Sequence, residues 1–290
     1  MLISSLSFAI VNLMVKLLTN SYQLFPSIQD YPPYELVFFR SIISLSISIV
    51  IIKYRGIPMF GYNKKWLLIR GVFGATALLL FFYTLKNLPI AVATTVQYLS
   101  PIFTIILAIF INHQKVKSIQ WLFFLIAFSG VIFIGFGKSN DSRVIIEPIW
   151  LILGVVSAML SGVAYNAIIK CRATDEPITI VMYFPLVATP IMFFIMIYNG
   201  YVIPKGYEWG LLLLIGIFTQ IAQVFMTRAF HFTEASKVTP IKYFGAIYAV
   251  LIGYFIFDET LSLYVSFGIS LILIGVLLNT FLVKRKKIKP

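Results

Sequence analysis

The sequence predicts an all-α polytopic membrane protein: ten transmembrane helices forming two inverted five-helix repeats. Three observations carry that expectation. Of 290 residues, 60% are hydrophobic and 11% charged, and mean hydropathy is +0.96, which excludes a soluble domain of this size. The apolar residues fall into ten runs, each near the ~20 residues that cross a ~30 Å hydrocarbon core. The chain also reads twice at an offset of 145 residues. Gln97-Tyr98 falls on Lys242-Tyr243, Gln114 on Glu259, and Gly130-Val131 on Gly275-Val276. One residue out of step, Pro33 and Gly56 fall on Pro177 and Gly200. With an odd number of spans per copy, the second copy must enter the membrane from the other side, a mark of carriers whose site lies between related halves.

The first run, 2–19, has no basic start and no small-residue cleavage site, so it reads as a membrane helix and not a signal peptide. Runs 34–52, 66–86, 89–111 and 119–137 complete the first repeat, residues 1–145. Runs 149–169, 178–198, 209–230, 235–257 and 261–283 make the second, residues 146–290. Pro101 interrupts the fourth run and frees the carbonyl of Gln97, because proline has no N–H to donate. Pro240 does the same near the start of the ninth run, and both prolines are candidate gating positions as well as structural kinks. Pro185 and Pro190 are expected to break the seventh. Ser157, Ala158, Ser161 and Gly162 permit close helix approach in the sixth. The fifth and tenth runs carry few polar residues, so they are expected at the periphery, against lipid or the second subunit of a homodimer. The cavity then belongs to runs one to four and six to nine.

The net charge of +13 suggests nucleic acid only until the charges are placed. With the N-terminus in the cytoplasm, the inside loops hold Lys53, Arg55, Lys64, Lys65, Lys115, Lys117, Lys170 and Arg172. The tail adds Lys284, Arg285, Lys286, Lys287 and Lys289, whereas the outside loops hold Lys86, Lys138, Arg143 and Lys205. This asymmetry places both termini inside, and the basic tail reads as an anchor at an anionic leaflet, with no nucleic-acid partner.

Six basic residues remain within or at the margins of the runs: Lys16, Arg40, Arg70, Arg228, Lys237 and Lys242. A charge in hydrocarbon costs at least ~2.5–3.5 kcal/mol, so each must snorkel, pair or face water. Arg70 and Lys237 lie within about one turn of the cytoplasmic boundary, where snorkelling suffices. Lys242 lies eight residues beyond Glu234, about 12 Å into the core at ~1.5 Å per residue, too deep for that. Arg40 is open to either role, bonding backbone or Glu35, or meeting a ligand; Arg228 is likewise open. Uncharged polar residues also form stripes: Gln220, Gln223, Thr227 and His231 on the eighth run, and Thr94, Gln97, Pro101 and Thr104 on the fourth, with Tyr98 beside them. Asn166 continues a stripe with Ala158 and Gly162, and Ser5, Asn12 and Lys16 share a side of the first run. Interhelical bonding explains the serines; the glutamines need more partners, which a wet cavity supplies.

Other function classes find little here. The histidines, His113 and His231, have no metal spacing, and Ser100 has no evident base, so neither an enzyme, a metal site nor a cofactor is expected. Lone Cys171 forms no internal disulfide. No ring of charges or filter sequence suggests a channel.

Phe39-Arg40, Leu99-Ser100-Pro101-Ile102-Phe103, Phe257-Asp258-Glu259-Thr260-Leu261 and the end-of-repeat Gly130 and Gly275 together resemble the drug/metabolite transporter superfamily, in its EamA-like branch. The resemblance covers essentially the full length. It implies an inverted-repeat carrier in a bacterial inner membrane, with a central cavity and alternating access. There are departures. Gln114 stands where the family often has an acid, and Lys242 enters a stretch that is less polar in many members. Asn12 and Lys16 stand where small multidrug relatives rely on a glutamate, so their cation/proton antiport is not implied.

The expected function is secondary transport of a small polar metabolite, anionic or zwitterionic, with export favoured by the family. The alternatives are a flippase for a lipid-linked polar headgroup and an exporter of drugs or organic cations. Lys242, Arg40 and Arg228 are expected to meet substrate charge, Gln97, Asn166, Gln220 and Gln223 to orient it, and Tyr98 and Tyr243 to line opposite sides.

Overall fold

A computed structural model describes residues 1–19, 27–112, 118–136, 146–232 and 244–282. Among these residues every regular element is helical. The first half contributes α1 (Leu2–Leu18), α2 (Pro33–Arg55), α3 (Lys64–Asn87), α4 (Ile90–Gln97), α5 (Ser100–Asn112) and α6 (Ser118–Phe136). The second contributes α7 (Pro148–Cys171), α8 (Pro177–Asn199), α9 (Glu208–Phe232), α10 (Phe244–Phe257) and α11 (Leu263–Leu282). Seven candidate spans are long and apolar enough to cross a membrane, counting Ile90–Ile111 as one; Leu2–Leu18, Phe244–Phe257 and Leu263–Asn279 are shorter apolar helices. Large apolar side chains such as Phe110, Leu125, Phe194 and Phe255 point outward, as lipid-facing surfaces do.

The repeated landmarks have matching structural jobs. Pro33 and Pro177 each sit in the first turn of a 23-residue helix, where a missing N–H costs nothing. Gly56 and Gly200 end those same helices with positive φ, at 63° and 89°, a conformation that side-chain-bearing residues rarely adopt.

Packing joins the halves throughout. α1 packs on α9, α3 on α7, α2 on α8, α4 on α10 and α6 on α11. Exchanging each element for its partner 145 residues away turns the α1–α9 pair into α7–α3 and leaves the other pairings in place. The α6–α11 pair lies at the margin and is held by close backbone approach. A Cβ at Gly130 would stand 2.5 Å from the Gly268 carbonyl oxygen, and one at Gly275 would stand 2.7 Å from that of Phe123. Gln120 donates to Asn279 across the same interface at 2.9 Å.

Two prolines act differently from expectation. α8 runs without interruption through Pro185 and Pro190; packing against α2, α3 and α9 holds it helical although two ladder bonds are missing. The fourth run does break, between α4 and α5. There Tyr98 and Leu99 donate to Thr95 and Val96, three residues back, and Pro101 has no N–H for Gln97.

Candidate functional site

A cavity with about 130 Å³ of water-accessible space lies between α1–α4 and α7–α10. Its floor is basic. Arg40, two turns into α2, and Arg70, near the start of α3, both line it while being only 2% and 4% exposed. They share one aromatic support: the guanidinium carbons lie 5.5 Å and 5.3 Å from the ring centroid of Phe184 on α8. Arg40 also lies 5.5 Å from the Phe82 ring. Lying against rings stabilises each cation by roughly 0.5–2 kcal/mol without consuming its N–H donors.

The two arginines are held differently. Arg70 donates to Gln223 Oε1 at 3.3 Å, and its guanidinium passes directly beside Gly74, where a Cβ would collide with it. Arg40 has no such tether, and Glu35, its nearest acid in sequence, instead accepts the Val202 amide at 3.0 Å. The Nε of both arginines is buried without a partner. No Asp or Glu among the described residues lines the cavity.

A neutral polar wall faces the arginines. Gln97, at the end of α4, donates to Ser161 Oγ at 2.9 Å and accepts from Ser157 Oγ at 3.0 Å. Tyr98 follows on the break, and its hydroxyl approaches Gly245 of α10 so closely that a Cβ there would displace it. Ser5, Asn12, Thr94 and Tyr165 complete the polar lining.

The structure thus gathers Arg40, Gln97, Tyr98 and Gln223 at one cavity. Three other expected site residues lie elsewhere. Asn166 is fully buried and donates to the carbonyls of Thr104 and Gly162, tying α7 to α5. Gln220 bonds Ser44 and Ser48, tying α9 to α2. Arg228 is exposed and lines a separate crevice with Arg55 and Glu176. For Asn166 and Gln220 helix periodicity gave the right stripe, but the side chain met a neighbouring helix before it met the cavity. Lys242, Tyr243 and Pro240 lie outside the described residues.

Two further basic residues turn inward, one of them against expectation. Arg70 does not snorkel; it turns inward, through the gap left by Gly74 one helical turn later, which was the available signal in the sequence. Lys16 donates to the carbonyls of Leu85 and Leu88 at 2.9 Å and 2.7 Å, closing the end of α3. Phe184 gave no signal at all in a run already rich in apolar residues.

A family model described as "EamA-like transporter family" matches residues 1–136 and 148–281. Among similar proteins, the pseudopaline exporter CntI of Pseudomonas aeruginosa is 30% identical over 260 residues, covering 89% of this chain and 86% of that one. The S-adenosylmethionine uptake transporter of Rickettsia prowazekii is 25% identical over 231 residues, 78% of this chain and 75% of its own. A solved crystal structure shares the fold with a TM-score of 0.64 at 19% identity, over 96% of each chain.

Proposed function

Because the chain belongs to the EamA-like transporter family, we propose that it moves a small polar metabolite bearing a carboxylate across a bacterial inner membrane by alternating access. It is a multi-pass membrane transporter and not an enzyme. The proposed architecture is ten spans in two inverted repeats with both termini cytoplasmic. Supporting it are the twofold reading of the sequence, the exchange-invariant packing and the loop charge asymmetry.

The observation that carries the substrate reading is the pair Arg40 and Arg70: two buried cations on one ring, with no described carboxylate in the cavity. Burying charge without a counter-charge is costly, and an anionic substrate would offset that cost when it binds. Gln97, Gln223 and Tyr98 would orient its polar remainder. Export is favoured because the relative matched at 30% identity is named an exporter.

Uptake and efflux of metabolites in proteoliposomes test this reading. Carboxylate-bearing compounds are expected to move, and exclusive transport of organic cations would overturn it. Lys242 belongs to the same proposal, since it lies three residues from the cavity-lining Gly245. Lys242→Met is expected to impair transport with folding retained; near-normal transport by a correctly inserted protein would remove Lys242 from the site.

A further inference from the structure

We propose that the cavity selects substrates with two carboxylates, one for each arginine, over substrates with one. This rests on the carboxylate reading above and narrows it. A single carboxylate can satisfy one guanidinium fork through two parallel hydrogen bonds. Arg40 and Arg70 approach the same Phe184 ring from α2 and α3, and Phe82 adds a second ring beside Arg40. Contact with a ring consumes no N–H donor, so the terminal donors of Arg40, and those of Arg70 not given to Gln223, remain for ligand. Each fork keeps an Nε with no acceptor. A single carboxylate engaged in one fork would leave the other buried guanidinium uncompensated, whereas two carboxylates compensate both.

The unequal tethering gives the two positions different duties. Arg70 is fixed by Gln223 and by its passage along Gly74, so it forms the preorganised half of the site. Arg40 has rings and no hydrogen-bond tether, so it is the half able to adjust to the spacing between two carboxylates. Gln97 and Ser161, which line the cavity from α4 and α7, on other helices than the arginines, are suited to a hydroxyl or amino group between the carboxylates.

Counterflow by the full chain in proteoliposomes tests the proposal, with succinate and glutamate as two-carboxylate probes, lactate and alanine as one-carboxylate probes, and tetraphenylphosphonium as a cation. At least one two-carboxylate probe is expected to exchange about tenfold faster than either one-carboxylate probe, the ratio that one additional charge-assisted pair supports. Arg40→Met should remove that preference, lowering dicarboxylate exchange about tenfold and monocarboxylate exchange far less. Arg40→Lys keeps the charge without the fork and should fall between, which gives a reading if the methionine variant does not fold. Equal exchange of both carboxylate classes overturns the two-carboxylate proposal and leaves the carboxylate reading standing. Exchange of the cation alone overturns both. Failure of both dicarboxylates to exchange, or to raise the thermal midpoint at millimolar concentration, also overturns the two-carboxylate proposal.

Discussion

At one end of the bundle, Glu208 at the start of α9 accepts from the Gln29 amide, the Gln29 side chain, the Tyr31 hydroxyl and the Lys205 amide. Beside it Glu35 accepts from Val202, and Glu259 accepts from the Ile90 amide that opens α4. At the other end, Asp175 accepts from the Tyr62 and Asn63 amides and the Thr174 hydroxyl. Each of these two seams ties a loop of one half to a loop of the other. Among the described residues, the first end uses three buried carboxylates and the second uses one. The repeat position does not decide the job. Asp30 stands 145 residues before Asp175, yet Asp30 is largely exposed and pairs with Lys86. Burial and the number of backbone donors set seam strength, so the Glu208 end is the more firmly closed. In the proposed alternating-access cycle it would be the end whose opening must break more charge-assisted bonds.

The largest effect follows from Glu208→Ala. It removes an acceptor from four donors, of which Gln29 Nε2 keeps its bond to the Ile203 carbonyl, and Glu208 is only 1% exposed. The expected loss is about 3–5 kcal/mol, as when one partner of a buried charged set is removed. A thermal melt in detergent checks it, and a shift no larger than that of Asp175→Asn would break the comparison.

Asp175→Asn should cost less, about 1–2 kcal/mol, because the amide keeps an acceptor for one of the two backbone donors. Its more telling effect is local. Cys171, buried and the one cysteine in the sequence, lies four residues before Asp175 and reports on that end. Maleimide labelling of Cys171 should quicken in Asp175→Asn and stay unchanged in a folded Glu208 variant such as Glu208→Gln. Equal quickening in both would show that the ends do not open separately.

Much of this arrangement could be read from sequence, for reasons that differ by element. The helical runs were legible because hydrophobic length is a property of the chain itself, and the Pro33/Pro177 and Gly56/Gly200 pairs because backbone constraint is local. The break at Tyr98 was legible from Pro101 for the same reason. The site was harder, since a stripe says which residues share a helix face but not what that face meets. Gln97 and Gln223 reached the cavity, while Gln220 and Asn166, on similar stripes, met helices. Depth counted along the helix places Arg70 within reach of the boundary but does not show that its guanidinium turns inward past Gly74. Neither Glu208 nor Asp175 could be recognised as a seam, because their partners in the other half lie 112 residues or more away in sequence.

The smallest expected effect separates buried seams from surface charge at the same end. Lys86 bonds Asp30 at 2.7 Å, yet the two side chains are 25% and 57% exposed. Water and salt screen such a pair, and ordering two flexible side chains offsets much of the Coulomb gain. Lys86→Ala should therefore shift stability by no more than about 0.5 kcal/mol, and raising ionic strength should not change the wild-type midpoint through this pair. The carbonyl of Lys86, 3.4 Å from Lys16 Nζ, is untouched by the substitution, so the end of α3 stays closed. A loss approaching that of Glu208→Ala would mean that the Glu208 end is held by its exposed charges, and the distinction between the two ends would then have to be sought outside the buried carboxylates.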